Sequence, residues 1–291
     1  MGLPAEKGNQ IWRVIDILNW GEDYFKSRGF ESPKQEIEWL LCDLLNYKRI
    51  DLYVQFEQPI LRPQLNQLKD WVKRRVVREP LQYITGKTEF YGYQFNITPD
   101  VLVPRPETER VVDVALHTIG TIKNPKVLEV GSGSGCIAIA IGAEKKDALI
   151  ESVDVSETAI TQAKKNADLN KLSNIDFKVM DFLKKIPKGR FDLLVSNPPY
   201  IPENEMRETM PEVHQYEPKI ALTDELDGLT FYRRFAELGK SIIKPGGWLV
   251  LEVGLGEHPS KAVDIFQSAG YTKLELISDY NSDERVLKIQ I

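Results

Sequence analysis

Phe191-Asp192-Leu193-Leu194-Val195-Ser196-Asn197-Pro198-Pro199-Tyr200 sets an apolar run against a pair of prolines. The run Phe191–Ser196 reads as a strand buried on both faces, as in a parallel sheet. Asn197–Tyr200 then lies just beyond that strand's carboxyl end, the edge at which open α/β sheets bind ligands. Working outward, Lys126–Val130, Ala148–Asp154 and Ile175–Met180 precede this strand and Trp248–Val253 follows it. From about Arg105 onward such segments alternate with helical patterns, which predicts a parallel sheet covered on both faces. Lys273–Ile277 and Val286–Ile291 end the chain, joined by the polar turn Asp279 to Arg285. That spacing suits an antiparallel hairpin closing one side of the sheet. The predicted class is α/β: a Rossmann-like, mostly parallel sheet with an antiparallel last strand.

The first of these strands runs into Glu129-Val130-Gly131-Ser132-Gly133-Ser134-Gly135, and a helix opens at Cys136. Glycines here permit a tight turn and a close backbone approach by a ligand. A dinucleotide fingerprint, G-x-G-x-x-G, would need glycine where Cys136 stands, and no Gly-Lys-Ser/Thr of a phosphate loop follows. Asp154 ends the next strand, about twenty residues on, the usual place for a carboxylate that accepts ribose hydroxyls. Asp181-Phe182 follows the third strand, where a carboxylate can accept from an adenine amine and a ring can pack on the base. Adenosine without a phosphate signature points to S-adenosylmethionine. Glu129 is a candidate to face its methionine ammonium.

Asn197-Pro198-Pro199-Tyr200 supplies what methylation of a planar nitrogen needs. The Asn197 side-chain oxygen and the Pro198 carbonyl are two acceptors for two N–H groups. The prolines fix the backbone, so both acceptors are preorganised. Pro199 also brings no competing N–H, and Tyr200 offers a face for stacking on the planar group. The loop by itself leaves a carboxamide and an exocyclic aromatic amine both open; the second would be adenine N6 or guanine N2 of a flipped base.

Residues 1–80 read as a small helical bundle, a candidate docking domain. Ile11, Val14, Ile15 and Leu18 share one helical face; Ile37, Leu40, Leu41, Leu44 and Leu45 another; Leu65, Leu68, Val72 and Val76 a third, over Pro63–Val77. Ser32-Pro33-Lys34-Gln35 is a helix start with Ser as cap and Gln reaching back. The basic run Lys73, Arg74, Arg75 and Arg78 reads as a solvated face. Residues 81–104 read as a β-hairpin linker, with Glu89–Ile97 paired to Val101–Val103, and residues 105–291 as the sheet domain. A net charge of −5 counts against a direct DNA binder. The two cysteines, Cys42 and Cys136, lie far apart in apolar surroundings and make no disulfide framework or zinc spacing, so a reducing compartment is expected. The three histidines, His117, His214 and His258, stand alone and read as surface or packing residues. No metal site is expected. Met1 to Gln10 has no apolar signal core, and no run nears the ~20 apolar residues of a membrane span. The expectation is a cytoplasmic monomer.

Arg78-Glu79-Pro80-Leu81-Gln82-Tyr83-Ile84-Thr85-Gly86, Phe90-Tyr91-Gly92, Val103-Pro104-Arg105-Pro106-Glu107-Thr108-Glu109, Asn197-Pro198-Pro199-Tyr200-Ile201-Pro202, Glu217-Pro218, Ala221-Leu222 and Asp227-Gly228-Leu229 together resemble signatures of the release factor glutamine methyltransferase family, PrmC or HemK. The resemblance covers essentially the whole chain. It implies a class I methyltransferase sheet and methyl transfer to N5 of the glutamine in the Gly-Gly-Gln motif of peptide chain release factors, with S-adenosylhomocysteine as product. It implies that Gly131, Ser132, Gly133, Ser134, Gly135, Asp154, Phe182 and Asn197 bind S-adenosylmethionine and that Asn197–Tyr200 hold the glutamine. Phe182 stands where the family often has Trp, and Asp224-Glu225 where a glycine pair is common.

Overall fold

The computed structural model describes residues 11–291. The expectation for Met1 to Gln10 falls outside them. The chain divides into one unit ending at Gly86 and another, Lys87–Ile291. The boundary therefore falls between Gly86 and Lys87, and the linker expected over 81–104 is not a separate piece.

The first unit is helical: Val14–Lys26, Pro33–Leu45, Arg49–Val54, Arg62–Val76 and Leu81–Thr85. Val14, Ile17, Leu18, Ile37, Leu40, Leu41, Leu65, Leu68 and Val72 meet in its core. Ile11 precedes the first helix and is exposed, so it does not share the face read for it. Ser32 does precede the helix at Pro33, but its side chain makes no capping bond. The first two helices approach so closely at Gly21 that a Cβ there would sit 2.3 Å from Ile37 Cγ1. The basic run is not a solvated face. Arg75 is buried and binds buried Glu36 through two bonds of 2.7 and 2.9 Å. Arg74 bonds Glu79 and the carbonyls of Tyr83 and Ile84.

The second unit opens with β1 (Lys87–Phe90) and β2 (Tyr93–Asn96), an antiparallel hairpin. Its turn residues, Tyr91 and Gly92, have φ of 53° and 77°, the backbone twist that short hairpins favour. The aromatic stretch expected as one strand is thus the whole hairpin, and Val101–Val103 is not a strand. Asn166, fully buried, anchors β2: its Oδ1 accepts from Asn96 N, and its Nδ2 donates to Asn96 O and Ser134 O.

The sheet is built from β3 (Lys126–Val130), β4 (Leu149–Asp154), β5 (Ile175–Val179), β6 (Phe191–Ser196), β7 (Ile243–Glu252), β8 (Lys273–Ser278) and β9 (Glu284–Gln290), in the order β5-β4-β3-β6-β7-β9-β8. The first five in that order are parallel; β9 runs antiparallel to both neighbours. The sequence places these strands correctly, except that β7 begins at Ile243, before the expected Trp248. From β3 the chain steps outward to β4 and β5, then returns to the other side at β6. The strand order reverses between β3 and β6, and in such sheets that crevice binds ligands. The core under it joins Leu128, Val130, Leu194, Leu249 and Leu251 to Tyr232 and Phe235 of the helix Thr230–Ile242. No helix among the described residues is long and apolar enough to cross a membrane.

Candidate active site

Register brings the strand ends together. Val130 pairs with Val153 on one side and Ser196 on the other, and Ser196 pairs with Leu251. Gly131, Asn197 and Glu252 therefore leave the sheet side by side, with Asp154 next to Gly131. The Ser196 hydroxyl donates to Val130 O at 2.6 Å, which locks the two central ends. Above them lies a cavity of about 530 Å³, within the usual size of a small-molecule site. Of the residues singled out from the sequence, Glu129, Gly131, Ser132, Gly133, Ser134, Asp154, Asp181, Phe182, Asn197, Pro198 and Pro199 line it. Gly135 and Tyr200 do not.

The glycine loop needs its glycines for two reasons. Gly131 and Gly133, with φ of 85° and 51°, take left-handed backbone at the cavity wall. Gly135 faces inward instead: a Cβ there would lie 3.1 Å from Ala163, so it lets the helix Cys136–Glu144 approach Glu157–Leu169. Asp154 braces this loop, accepting from Gly133 N and Ser156 N at 2.9 Å each. Ser132 and Ser134 are buried, and the Ser132 hydroxyl contacts that of Ser152 at 2.5 Å. Ser152 in turn donates to Glu129. Glu129 is 1% exposed and also accepts from Ala138 N at 3.2 Å. Burial pushes its carboxyl up to about 8. Both of its oxygens accept within the fold, and Glu129 stands at the cavity wall. Asp181 is held below the usual carboxylate range by its bond to Lys184, and it accepts from Leu183 N at 3.0 Å. Phe182 packs against Phe235 with ring centres 5.3 Å apart.

At the loop after β6, the Asn197 Nδ2 donates to Thr108 Oγ1 at 3.1 Å, and Thr108 donates to Glu252 Oε2 at 2.7 Å. The Tyr200 hydroxyl donates to Glu252 Oε1 at 3.3 Å. Tyr200 thus differs from its expected place. Its ring lies 5.8 Å from that of His258 and borders a second cavity, apart from the one that Asn197 lines. Gly228 presses on its backbone so closely that a Cβ there would meet Tyr200 O at 2.2 Å. His258 is a packing residue, bonded to Gly254 N and the Gly228 carbonyl. Burial pushes the Glu252 carboxyl up to about 7.

The sequence reading gave no role to Thr108 or Glu252. The available signal for Glu252 was a lone carboxylate closing the apolar strand Trp248–Val253. Arg105 was seen only as part of a signature; it pairs with Glu217, which also accepts from Val103 N at 3.4 Å. The segments before and after the Asn197 loop are thereby tied together. Asp224 accepts from Leu226 N, Gly228 N and Thr230 N at 2.9–3.0 Å. Its neighbour Glu225 takes φ of 60°. Cys42 and Cys136 are free thiols, and burial pushes Cys136 up to about 12.

Residues 16–86 match the family described as PrmC N-terminal domain, and residues 110–214 the family described as methyltransferase small domain. The chain is 38% identical over 278 residues to a release factor glutamine methyltransferase of Geobacter sulfurreducens, covering 96% of each protein. It is 36% identical over 287 residues to one of Fusobacterium nucleatum, covering 98% of this chain and 81% of the other. A solved methyltransferase structure from Pyrococcus furiosus aligns with a TM-score of 0.51 at 16% identity, over 77% of this chain and 97% of that one. That last likeness is one of fold.

Proposed function

The chain belongs to the release factor glutamine methyltransferase family, and from that premise we propose that it methylates N5 of the glutamine in the Gly-Gly-Gln motif of peptide chain release factors, using S-adenosylmethionine. The observation that carries this reading is the oriented amide of Asn197 at the wall of a cavity shared with the glycine loop. S-adenosylmethionine supplies an electrophilic methyl group on a sulfonium. The residues present suit it. Gly131 and Gly133 let a ligand approach the backbone closely. A carboxylate has about four acceptor positions, and backbone N–H groups use part of those on Asp154, which leaves acceptor capacity for a ribose hydroxyl. Asp181 is in place to accept from an adenine amine, with Phe182 against the base.

An amide nitrogen is a poor nucleophile because its lone pair is delocalised into the carbonyl. Asn197 Oδ1 and the Pro198 carbonyl accept its two N–H groups, which aims the nitrogen and favours its pyramidalisation. Among the described residues neither oxygen accepts a hydrogen bond. Preorganised acceptors of this kind cost no reorganisation at the moment of transfer, and alignment at near-attack distance supplies much of the acceleration. Tyr200, bonded to Glu252, anchors the loop from behind. The helical unit ending at Gly86 is the docking module for the factor. We place the enzyme in the cytoplasm as a monomer.

Incubation with labelled S-adenosylmethionine and a release factor, followed by mass-spectrometric mapping, tests the reading. Label on the Gly-Gly-Gln glutamine is expected; label elsewhere, or none, sinks it. Asn197→Ala is expected to lower kcat by roughly 10²–10³-fold, as removal of a preorganised polar partner does elsewhere.

A further inference from the structure

We propose that Thr108 and Glu252 are positioning residues that decide which end of the Asn197 amide faces the substrate. The inference rests on the methyl-transfer reading and deepens it. An asparagine amide presents an acceptor on one branch and two donors on the other. Only the acceptor branch serves a substrate N–H; the wrong face would oppose donor to donor. Among the described residues, Thr108 is the hydrogen-bond partner of the Asn197 side chain.

The choice follows from proton bookkeeping. Both oxygens of Glu252 accept, one from Thr108 and one from Tyr200, and the residue is 1% exposed, so water does not compete for them. It takes the one hydroxyl proton of Thr108, itself 2% exposed. Thr108 Oγ1 then has only lone pairs left, and it accepts the Asn197 Nδ2. A flipped amide would set Oδ1 against those lone pairs. The other branch, Oδ1, is thereby assigned to the substrate. Thr108 ends the 3-10 turn Pro106–Thr108 with helical backbone and caps nothing with its side chain; its hydroxyl is bonded to Glu252 and Asn197. Glu252 also holds Tyr200, so one carboxylate fixes both ends of the Asn197–Tyr200 loop.

Substitution separates orientation from mere packing. Thr108→Val keeps the shape and removes the relay; Thr108→Ser keeps the hydroxyl. Glu252→Gln leaves one acceptor branch for the two hydroxyls of Thr108 and Tyr200, so the Thr108 proton loses its fixed destination. Single-turnover transfer to a Gly-Gly-Gln release factor should fall roughly 10- to 100-fold in kcat for Thr108→Val and Glu252→Gln, the scale of a misaligned reacting group. The KM for the factor, the affinity for S-adenosylhomocysteine and the melting temperature should stay near wild type, and Thr108→Ser should keep kcat within about threefold. If Thr108→Val does not fold, Glu252→Gln carries the test. Undiminished kcat in the folded variants overturns the relay while leaving methyl transfer standing. So does a kcat loss matched by equal losses of S-adenosylhomocysteine binding and stability. A wild-type enzyme that transfers nothing to the factor overturns the methyl-transfer reading and the relay with it.

Discussion

At the scale of single residues, Asp154 has two tasks on one carboxylate. It braces the glycine loop through Gly133 N and Ser156 N, and it keeps acceptor capacity for a ribose. Asp154→Ala should therefore raise the Kd for S-adenosylhomocysteine by roughly 10- to 100-fold, the worth of one or two hydrogen bonds to a charged group. Calorimetric titration measures it, and wild-type affinity in the variant would remove Asp154 from the site. Such residues were legible because chain position alone marks them: a carboxylate at a strand's carboxyl end, an asparagine before two prolines. Thr108 and Glu252 were not. They meet across 144 positions of sequence; Thr108 sits inside a quoted signature, but contact at that distance leaves no periodicity that pairs it with Glu252. Tyr200 shows the same limit from the other side. Its motif named the residue, but Glu252, Gly228 and His258 decide where its ring goes.

At the scale of elements, the helix Arg62–Val76 shows what periodicity carries and what convention hides. Leu65, Leu68 and Val72 mark its inner face, and one more turn of the same spacing lands on Arg75. Reading the basic run as solvated overrode that geometry. Arg75 instead joins this helix to Pro33–Leu45 through Glu36, with Phe30 beneath the guanidinium, 4.8 Å from the ring centre. Arg75→Ala strands a buried carboxylate and should cost about 3–5 kcal/mol. Urea denaturation reads this directly; a change under about 1 kcal/mol, the scale of an exposed pair, would show that Glu36 is solvated in the variant. A paired Arg75→Met and Glu36→Leu replacement should recover most of the loss, because an ion pair exchanged for apolar packing is often near neutral. The helices Arg49–Val54 and Leu81–Thr85 escaped notice because six and five residues are too few for a 3.6-residue period to register. The β1–β2 turn was masked differently. Tyr91-Gly92 lies inside a continuous aromatic run, and the run outweighed the turn signal that glycine gave.

At the scale of the whole molecule, the strand and helix alternation fixes a sheet, and the sheet gathers buried carboxyls at its ligand edge. Their protonation makes folding depend on pH. Burial raises Glu129 from an ordinary 4.5 to about 8 and Glu252 to about 7. Between pH 4.5 and those values the folded chain holds protons that the unfolded chain has released. Stability therefore falls as pH rises through that window, since it rises with pH only where the unfolded state binds more protons. Groups that the fold lowers act in the opposite sense, His258 and Asp16 among them. His258, lowered by burial, loses folded-state protonation below its ordinary 6.5, and so disfavours folding as pH drops. Asp16, held low mainly by its bond to Arg13, contributes stability that is present above its ordinary 3.8 and lost as pH falls further. The net curve mixes these, so the difference between two chains is the cleaner measurement. Glu129→Gln removes one raised carboxyl while keeping its shape. Relative to wild type, the variant should gain stability steadily from pH 5 to pH 8 and level off above, followed as the denaturation midpoint at each pH. A difference that stays flat across that range would mean that Glu129 ionises in the fold as it does in water.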